Sequence, residues 1–115
     1  MELKNNQISY IEFKAKDLEK IKIFYTAAFE WTFTDFGSAY SSFSNSGLQG
    51  GFEKTDSEIM NSALIVLYHK DLELIKNLII KAGGEITKDV FSFPGGHRFH
   101  FSDPSGNELG VWSDK

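Results

Sequence analysis

The 115-residue sequence has no cysteine, so no disulfide framework holds it together, and that absence fits a reducing or an oxidising compartment equally. No run of Lys or Arg forms a stripe for phosphates, and the net charge is −4 with a pI near 5.3. Nucleic acid is therefore not an expected partner. No apolar run is long enough to span a bilayer, and the start from Met1 to Gln7 is polar and mixed in charge, without a signal-peptide core. No membrane association is expected, and the cytoplasm is the default location. What the chain does have is apolar mass. Hydrophobic residues make up 41%, charged residues 24%, and Phe alone fills 11 positions, a globular composition. At this length a core buries roughly two thirds of the unfolded surface without a staple or structural metal. One domain over residues 1–115 is expected, with a well-filled core or a flat-walled pocket.

The chain also repeats itself. Lys16-Asp17-Leu18-Glu19-Lys20-Ile21-Lys22 returns as Lys70-Asp71-Leu72-Glu73-Leu74-Ile75-Lys76, an offset of 71 − 17 = 54. Leu18, Ile21, Phe24, Tyr25 and Ala28 fall on one helical stripe, as do Leu72, Ile75, Leu78, Ile79 and Ala82. Asp17 and Asp71 suit N-caps, because a carboxylate accepts from free amides at the positive helix end. Gly83-Gly84 stops the second helix. A strand precedes each helix, at Ile8 to Ala15 and Ala63 to His69. Three strands follow each: Trp31 to Asp35, Ala39 to Ser44 and Leu48 to Glu53, then Glu85 to Val90, His97 to Ser102 and Glu108 to Trp112. Pro94-Gly95-Gly96 and Asp103-Pro104-Ser105-Gly106-Asn107 are turn chemistry. The fold class is therefore α+β: two βαβββ modules, about 1–56 and 60–115, joined by the acidic link at Lys54 to Asn61.

Asp17-Leu18 with Phe24-Tyr25, then Phe29-Glu30-Trp31, then the closing Phe101-Ser102-Asp103-Pro104-Ser105-Gly106-Asn107 together resemble the vicinal-oxygen-chelate superfamily. That superfamily includes glyoxalase I, extradiol dioxygenases, fosfomycin-resistance enzymes and bleomycin-binding proteins. The resemblance covers nearly the whole chain. It implies a curved, barrel-like sheet around a cleft, with the helices outside, and a homodimer. Members with a metal place one ligand on the first and one on the last strand of each module. By that pattern the first-strand positions fall on Tyr10 (17 − 7) and Leu64 (71 − 7). The last-strand positions fall on Gly110 (103 + 7) and around Gly51. These residues offer one poor oxygen donor, whereas a divalent cation needs several converging N or O donors. No metal site and no cofactor are expected.

Strand alternation turns Ile11, Phe13, Ala15, Phe43, Phe99, Phe101, Leu109 and Val111 toward the helices. It leaves Tyr10, Glu12, Tyr40, Tyr68, Arg98, His100, Glu108 and Trp112 as the expected ligand-binding cleft. In that cleft Arg98 can hold a carboxylate or phosphate through paired hydrogen bonds, or be neutralised by Glu12 or Glu108. His100 beside Glu12 or Glu108 can form an acid/base pair, or simply a satisfied polar pair. His97 and His100 lie on opposite strand faces, which argues against a two-His metal site. Gln49-Gly50-Gly51 fits no phosphate loop and reads as a turn or strand distortion. The serines around Ser38 to Ser46 have no convincing base or acid partner, and catalytic residues are not assigned.

The functional expectation is a small-molecule binding protein of the bleomycin-binding kind, its acidic balance suiting a cationic or planar guest. The alternative is a metal-dependent lyase, isomerase or dioxygenase using Glu12, His100 and Glu108 as displaced ligands, the one case that would need a divalent metal. A third reading is an interaction module whose two copies complete each other's clefts.

Overall fold

A computed structural model describes residues 4–115; the first three residues of the polar start lie outside it. The order of elements is β1 (Tyr10–Ala15), α1 (Leu18–Phe29), β2 (Thr32–Asp35), β3 (Tyr40–Ser44), β4 (Gln49–Lys54), then β5 (Ile65–Tyr68), α2 (Leu72–Lys81), β6 (Glu85–Phe93), β7 (Gly96–Ser102) and β8 (Glu108–Ser113). This is βαβββ twice. The sheets run β1-β4-β3-β2 and β5-β8-β7-β6, each with a parallel pair between its first and last strand. They are curved but do not close into a barrel.

The helices start where the sequence places them. The Asp17 side chain accepts from the Lys20 amide and that of Asp71 from the Leu74 amide, at 3.2 and 3.1 Å, each satisfying a donor that the first turn leaves free. Every residue of the α1 stripe is buried. The α2 stripe is narrower than expected: only Ile75 and Ile79 are buried, while Leu74 and Leu78 border an open recess. Gly83, at φ 106, closes α2 with its N–H on the Ile80 carbonyl. In α1 the same left-handed turn falls to Glu30, at φ 62.

Three strand limits differ from expectation by two residues or more. β1 begins at Tyr10 rather than Ile8, and Leu64 precedes β5 rather than standing in it. β6 continues through Val90 to Phe93, with shifts of register against β7 between Ile86, Lys88 and Phe91. These irregularities hide its period from the sequence. Gln49-Gly50-Gly51 is the start of β4, not a turn. A Cβ on Gly50 would lie 2.9 Å from Phe43 Cε1 and closer still to the Ile11 carbonyl oxygen, so the glycine answers a close approach inside the sheet.

One apolar core serves both modules. Phe24, Tyr25, Trp31, Phe43 and Phe52 pack with Ile75, Ile79, Phe99, Phe101, Leu109 and Val111. Phe101 of β7 lies 6.1 Å from Phe24 and 5.8 Å from Phe29, both on α1. Each such buried side chain contributes about 1.5–3 kcal/mol. The polar side of the junction is the turn after β7. Buried Asp103 accepts from the Tyr25 hydroxyl (2.8 Å) and from the Ser105 and Asn107 amides (2.9 and 3.0 Å). Asn107 Nδ2 also donates to Asp103 at 3.0 Å, and to the Lys14 carbonyl at 2.8 Å. The Lys16 amide donates to Ser105 Oγ. The turn that carries the resemblance thus pins the second module to the first.

Candidate functional site

With the helices on one side of the sheets, the opposite, concave sides carry the candidate residues. They form two groups. On the first sheet the Tyr10 and Tyr40 hydroxyls are hydrogen-bonded, and Glu12 faces Lys14 at 3.4 Å, with Lys14 also paired to Glu53. On the second sheet stand Tyr68, Arg98, His100, Glu108 and Trp112. Among the described residues no hydrogen bond, ion pair or ring contact joins the two groups. Within one chain the eight thus form two separately bonded groups. Of the pairings open to Glu12, neither His100 nor Arg98 is its partner.

Register identifies the equivalent positions. Glu12 is opposite Gly51, and Val66 is opposite Gly110; since 12 + 54 = 66, Gly51 and Gly110 correspond. Both glycines lie under a ring. A Cβ on Gly51 would come within 2.7 Å of Tyr40 Cζ and 2.8 Å of its Cε2, and one on Gly110 within 3.3 Å of His100 Cδ2. Tyr40 thus fills the space that a side chain at 51 would need. Desolvation and the Tyr10 hydroxyl hold the Tyr40 phenol above its usual range, so it stays neutral at physiological pH. A neutral phenol, two glycines, Leu64 and Val66 do not fit a divalent cation, and no group of three His, Asp or Glu side chains converges among the described residues.

The second concave face is aromatic. Trp112 lies 5.2 Å from Tyr68 and 6.3 Å from Phe93, and Tyr68 is anchored by its hydroxyl on Asp114 at 2.8 Å. Arg98, opposite Trp112 on the neighbouring strand, puts its guanidinium carbon 5.1 Å from the Phe91 ring centre and 5.6 Å from that of Phe93. Such stacking is worth about 0.5–1 kcal/mol at exposed sites and more when desolvated. Phe91 also stands 5.8 Å from His100, and Lys88 Nζ lies 4.4 Å from its centre. Phe91 and Phe93 were not among the sequence candidates, because the strand was expected to stop at Val90. The signal that finds them is the Phe91-Ser92-Phe93 alternation just before the Pro94-Gly95 turn.

Two nitrogens on this face are shielded and have no hydrogen-bond partner among the described residues: Arg98 Nε and His100 Nε2. No carboxylate among the described residues pairs with Arg98. His100 Nδ1 is 3.9 Å from Glu108, too long for a hydrogen bond, and Glu108 instead accepts from Thr87 at 2.8 Å. Burial and the cations Arg98 and Lys88 push the His100 pKa below its ordinary 6.5, against the pull of Glu108. A neutral imidazole beside an uncompensated guanidinium is what those forces leave.

A recess of about 670 Å³ opens between β1, the end of α1, β5 and α2. Ile11, Phe13, Ala28, Leu74 and Leu78 line it. Its size suits a ligand; Glu30 and His69 supply part of its polar lining, and Tyr68 borders it as well as the concave face.

Residues 7–111 match the family model of the Glyoxalase/Bleomycin resistance protein/Dioxygenase superfamily, and the chain belongs to that superfamily. Its fold is similar to that of FosX, a genomically encoded fosfomycin resistance protein from Listeria monocytogenes, with a TM-score of 0.80 and 20% identity over 94% of this chain and 93% of that one. A glyoxalase/bleomycin resistance protein/dioxygenase family enzyme from Burkholderia phytofirmans superposes with a TM-score of 0.81 and 13% identity, over 93% and 98%. TioX from Micromonospora sp. ML1 gives 0.73 and 11%, over 96% and 100%. At these identities the likeness concerns the fold, which hosts many functions. No curated protein matches the chain. A variant of FosX was solved with Mn(II) and dihydroxypropylphosphonic acid; among the described residues of this chain no three His, Asp or Glu side chains gather to hold an ion.

Proposed function

We propose that this protein binds a small organic molecule, without a metal, on the concave face of its second module. The observation that carries this is the wall of Tyr68, Phe93 and Trp112 around an unpaired Arg98, flat apolar surface with one strong polar group. Binding rather than turnover is favoured, because His100 and Glu108 do not form a hydrogen-bonded acid/base pair. A second copy of the chain, expected from the resemblance, would cover the face, and light scattering tests for it.

Two measurements test the reading. Protein purified without chelators is analysed for metals, and a compound library is screened by thermal shift. The expected result is sub-stoichiometric metal, with stabilising compounds whose effect is lost in Trp112→Ala and kept in Leu74→Ala, which alters the other recess. Stoichiometric Zn, Ni, Mn or Fe that disappears in Glu12→Gln or His100→Gln would instead establish the metal-dependent lyase, isomerase or dioxygenase. A library with no hit on the concave face overturns the binding reading.

A further inference from the structure

Net charge and local charge disagree in this molecule. The chain as a whole is acidic, which suits a cationic guest. On the second concave face the fixed charges are Arg98 and Lys88 against Glu108 and, at the Tyr68 end, Asp114, which is engaged by the Tyr68 hydroxyl, with His100 held neutral by its surroundings. Glu108 is engaged by Thr87 and does not reach Arg98. Over the few ångströms at which a ligand is held, the near charges decide the sign, because distant surface charges are screened within about 10 Å at ordinary salt.

The unpartnered atoms sharpen this. Arg98 and His100 are two residues apart on β7 and so share a face. Nε of one and Nε2 of the other are shielded without a hydrogen-bond partner among the described residues, and both side chains stand beside the Phe91 ring. Nε with a terminal guanidinium nitrogen is the side-on fork that takes a planar carboxylate through two parallel bonds. Phe91 belongs to edge strand β6, next to its shift of register against β7. Its side chain, packed from one strand only, is the group whose displacement would admit an acceptor. Phe93, Trp112 and Tyr68 then supply a flat wall for the rest of the molecule.

We infer that the ligand is an organic anion: a planar carboxylate whose acid group docks on Arg98 beside His100 and whose apolar body lies along Phe93 and Trp112. This rests on the proposed binding face and specifies its ligand class.

The test compares three isosteric probes, benzoate, benzamide and benzamidinium, by calorimetry and by amide chemical shifts, on wild type, Arg98→Met, Arg98→Lys and Glu108→Gln. Benzoate is expected to bind about tenfold or more tightly than benzamide, reflecting a charge-assisted pair. Benzamidinium is expected to be the weakest of the three, and the shifts to centre on β7 and β8. Arg98→Met abolishes the preference, Arg98→Lys weakens benzoate while keeping its sign, and Glu108→Gln tightens it. The lysine variant keeps the test decisive should the methionine variant not fold. Equal binding of the three probes on this face overturns the anion assignment and leaves the binding face standing. Inorganic phosphate competing as well as benzoate also overturns it, since the flat wall then contributes nothing. If none of the three perturbs β7 or β8, both readings fall.

Discussion

Replacing Tyr25 by Phe isolates the bond that fastens the two modules. The ring is wholly buried, stacked 4.7 Å from Trp31 and edge-on 4.8 Å from Phe24, and Phe reproduces those contacts. Only the hydroxyl is lost. Asp103, 4% exposed, then keeps three donors, from Ser105 and Asn107, of its four. A hydrogen bond to a charged, buried acceptor is worth about 1.5–3 kcal/mol. With an unfolding entropy of about 2.1 cal/mol/K per residue, this corresponds to a fall in Tm of about 6–12 °C for a chain of this length. Urea denaturation followed by the fluorescence of Trp31 and Trp112 reads the change, which should leave the m-value unaltered. The pH dependence adds a second readout. Burial raises the Asp103 pKa above its ordinary 3.8, against the opposing hydrogen bonds from Asn107 and Tyr25. Its contribution to stability is thus full below 3.8 and is lost as pH rises through the folded value. Removing a bond that favours the carboxylate raises that pKa further, so the difference between wild type and Tyr25→Phe should be larger at pH 7 than at pH 4. A variant within about 0.5 kcal/mol of wild type at pH 7, or a difference that does not grow with pH, refutes the fastening role.

Other outcomes follow from single residues. Gly50→Ala drives a methyl into Phe43 and the Ile11 carbonyl and should cost about 1–3 kcal/mol, seen as a lower urea midpoint. Glu30→Gly relieves a side chain held at φ 62 and should stabilise by up to about 1 kcal/mol, seen as a higher midpoint. His100 should titrate below 6.5 in NMR spectra, because burial and Arg98 depress it. Its stabilising contribution is present above 6.5 and lost as pH falls through the folded value, and Glu108→Gln should move the titration lower still. A His100 that titrates above 6.5 contradicts the charge balance drawn for this face.

The sequence displays its architecture unusually openly, because the two Asp-Leu helix starts and the apolar alternation of β1, β7 and β8 are local signals that tertiary packing does not override. The helix-facing assignment of Ile11, Phe13, Phe43, Phe99, Leu109 and Val111 agrees with their burial or partial burial. Three things were not legible. Leu78 has the spacing of a core residue, yet it borders the recess between α2, β1 and β5 and is partly exposed. Phe91 and Phe93 lie beyond shifts of register that break the period. Alternation says which face a side chain takes but not which partner it meets there, so the sequence left open pairings of Glu12 with Arg98 or His100, whereas Glu12 pairs with Lys14. The ring over Gly51 was equally invisible, because Tyr40 leans across strands instead of standing on its own register partner, Glu53.

That leaning ring constrains what this lineage can become. Any acidic side chain introduced at 51 starts in space that Tyr40 already holds. Clearing Tyr40 first leaves Tyr10 without its partner. Each single replacement is worse than the starting point, so a carboxylate at 51 is reached only by coordinated changes on two strands. Directed evolution toward cation binding would accordingly do better with a double library at 40 and 51 than with saturation of either position.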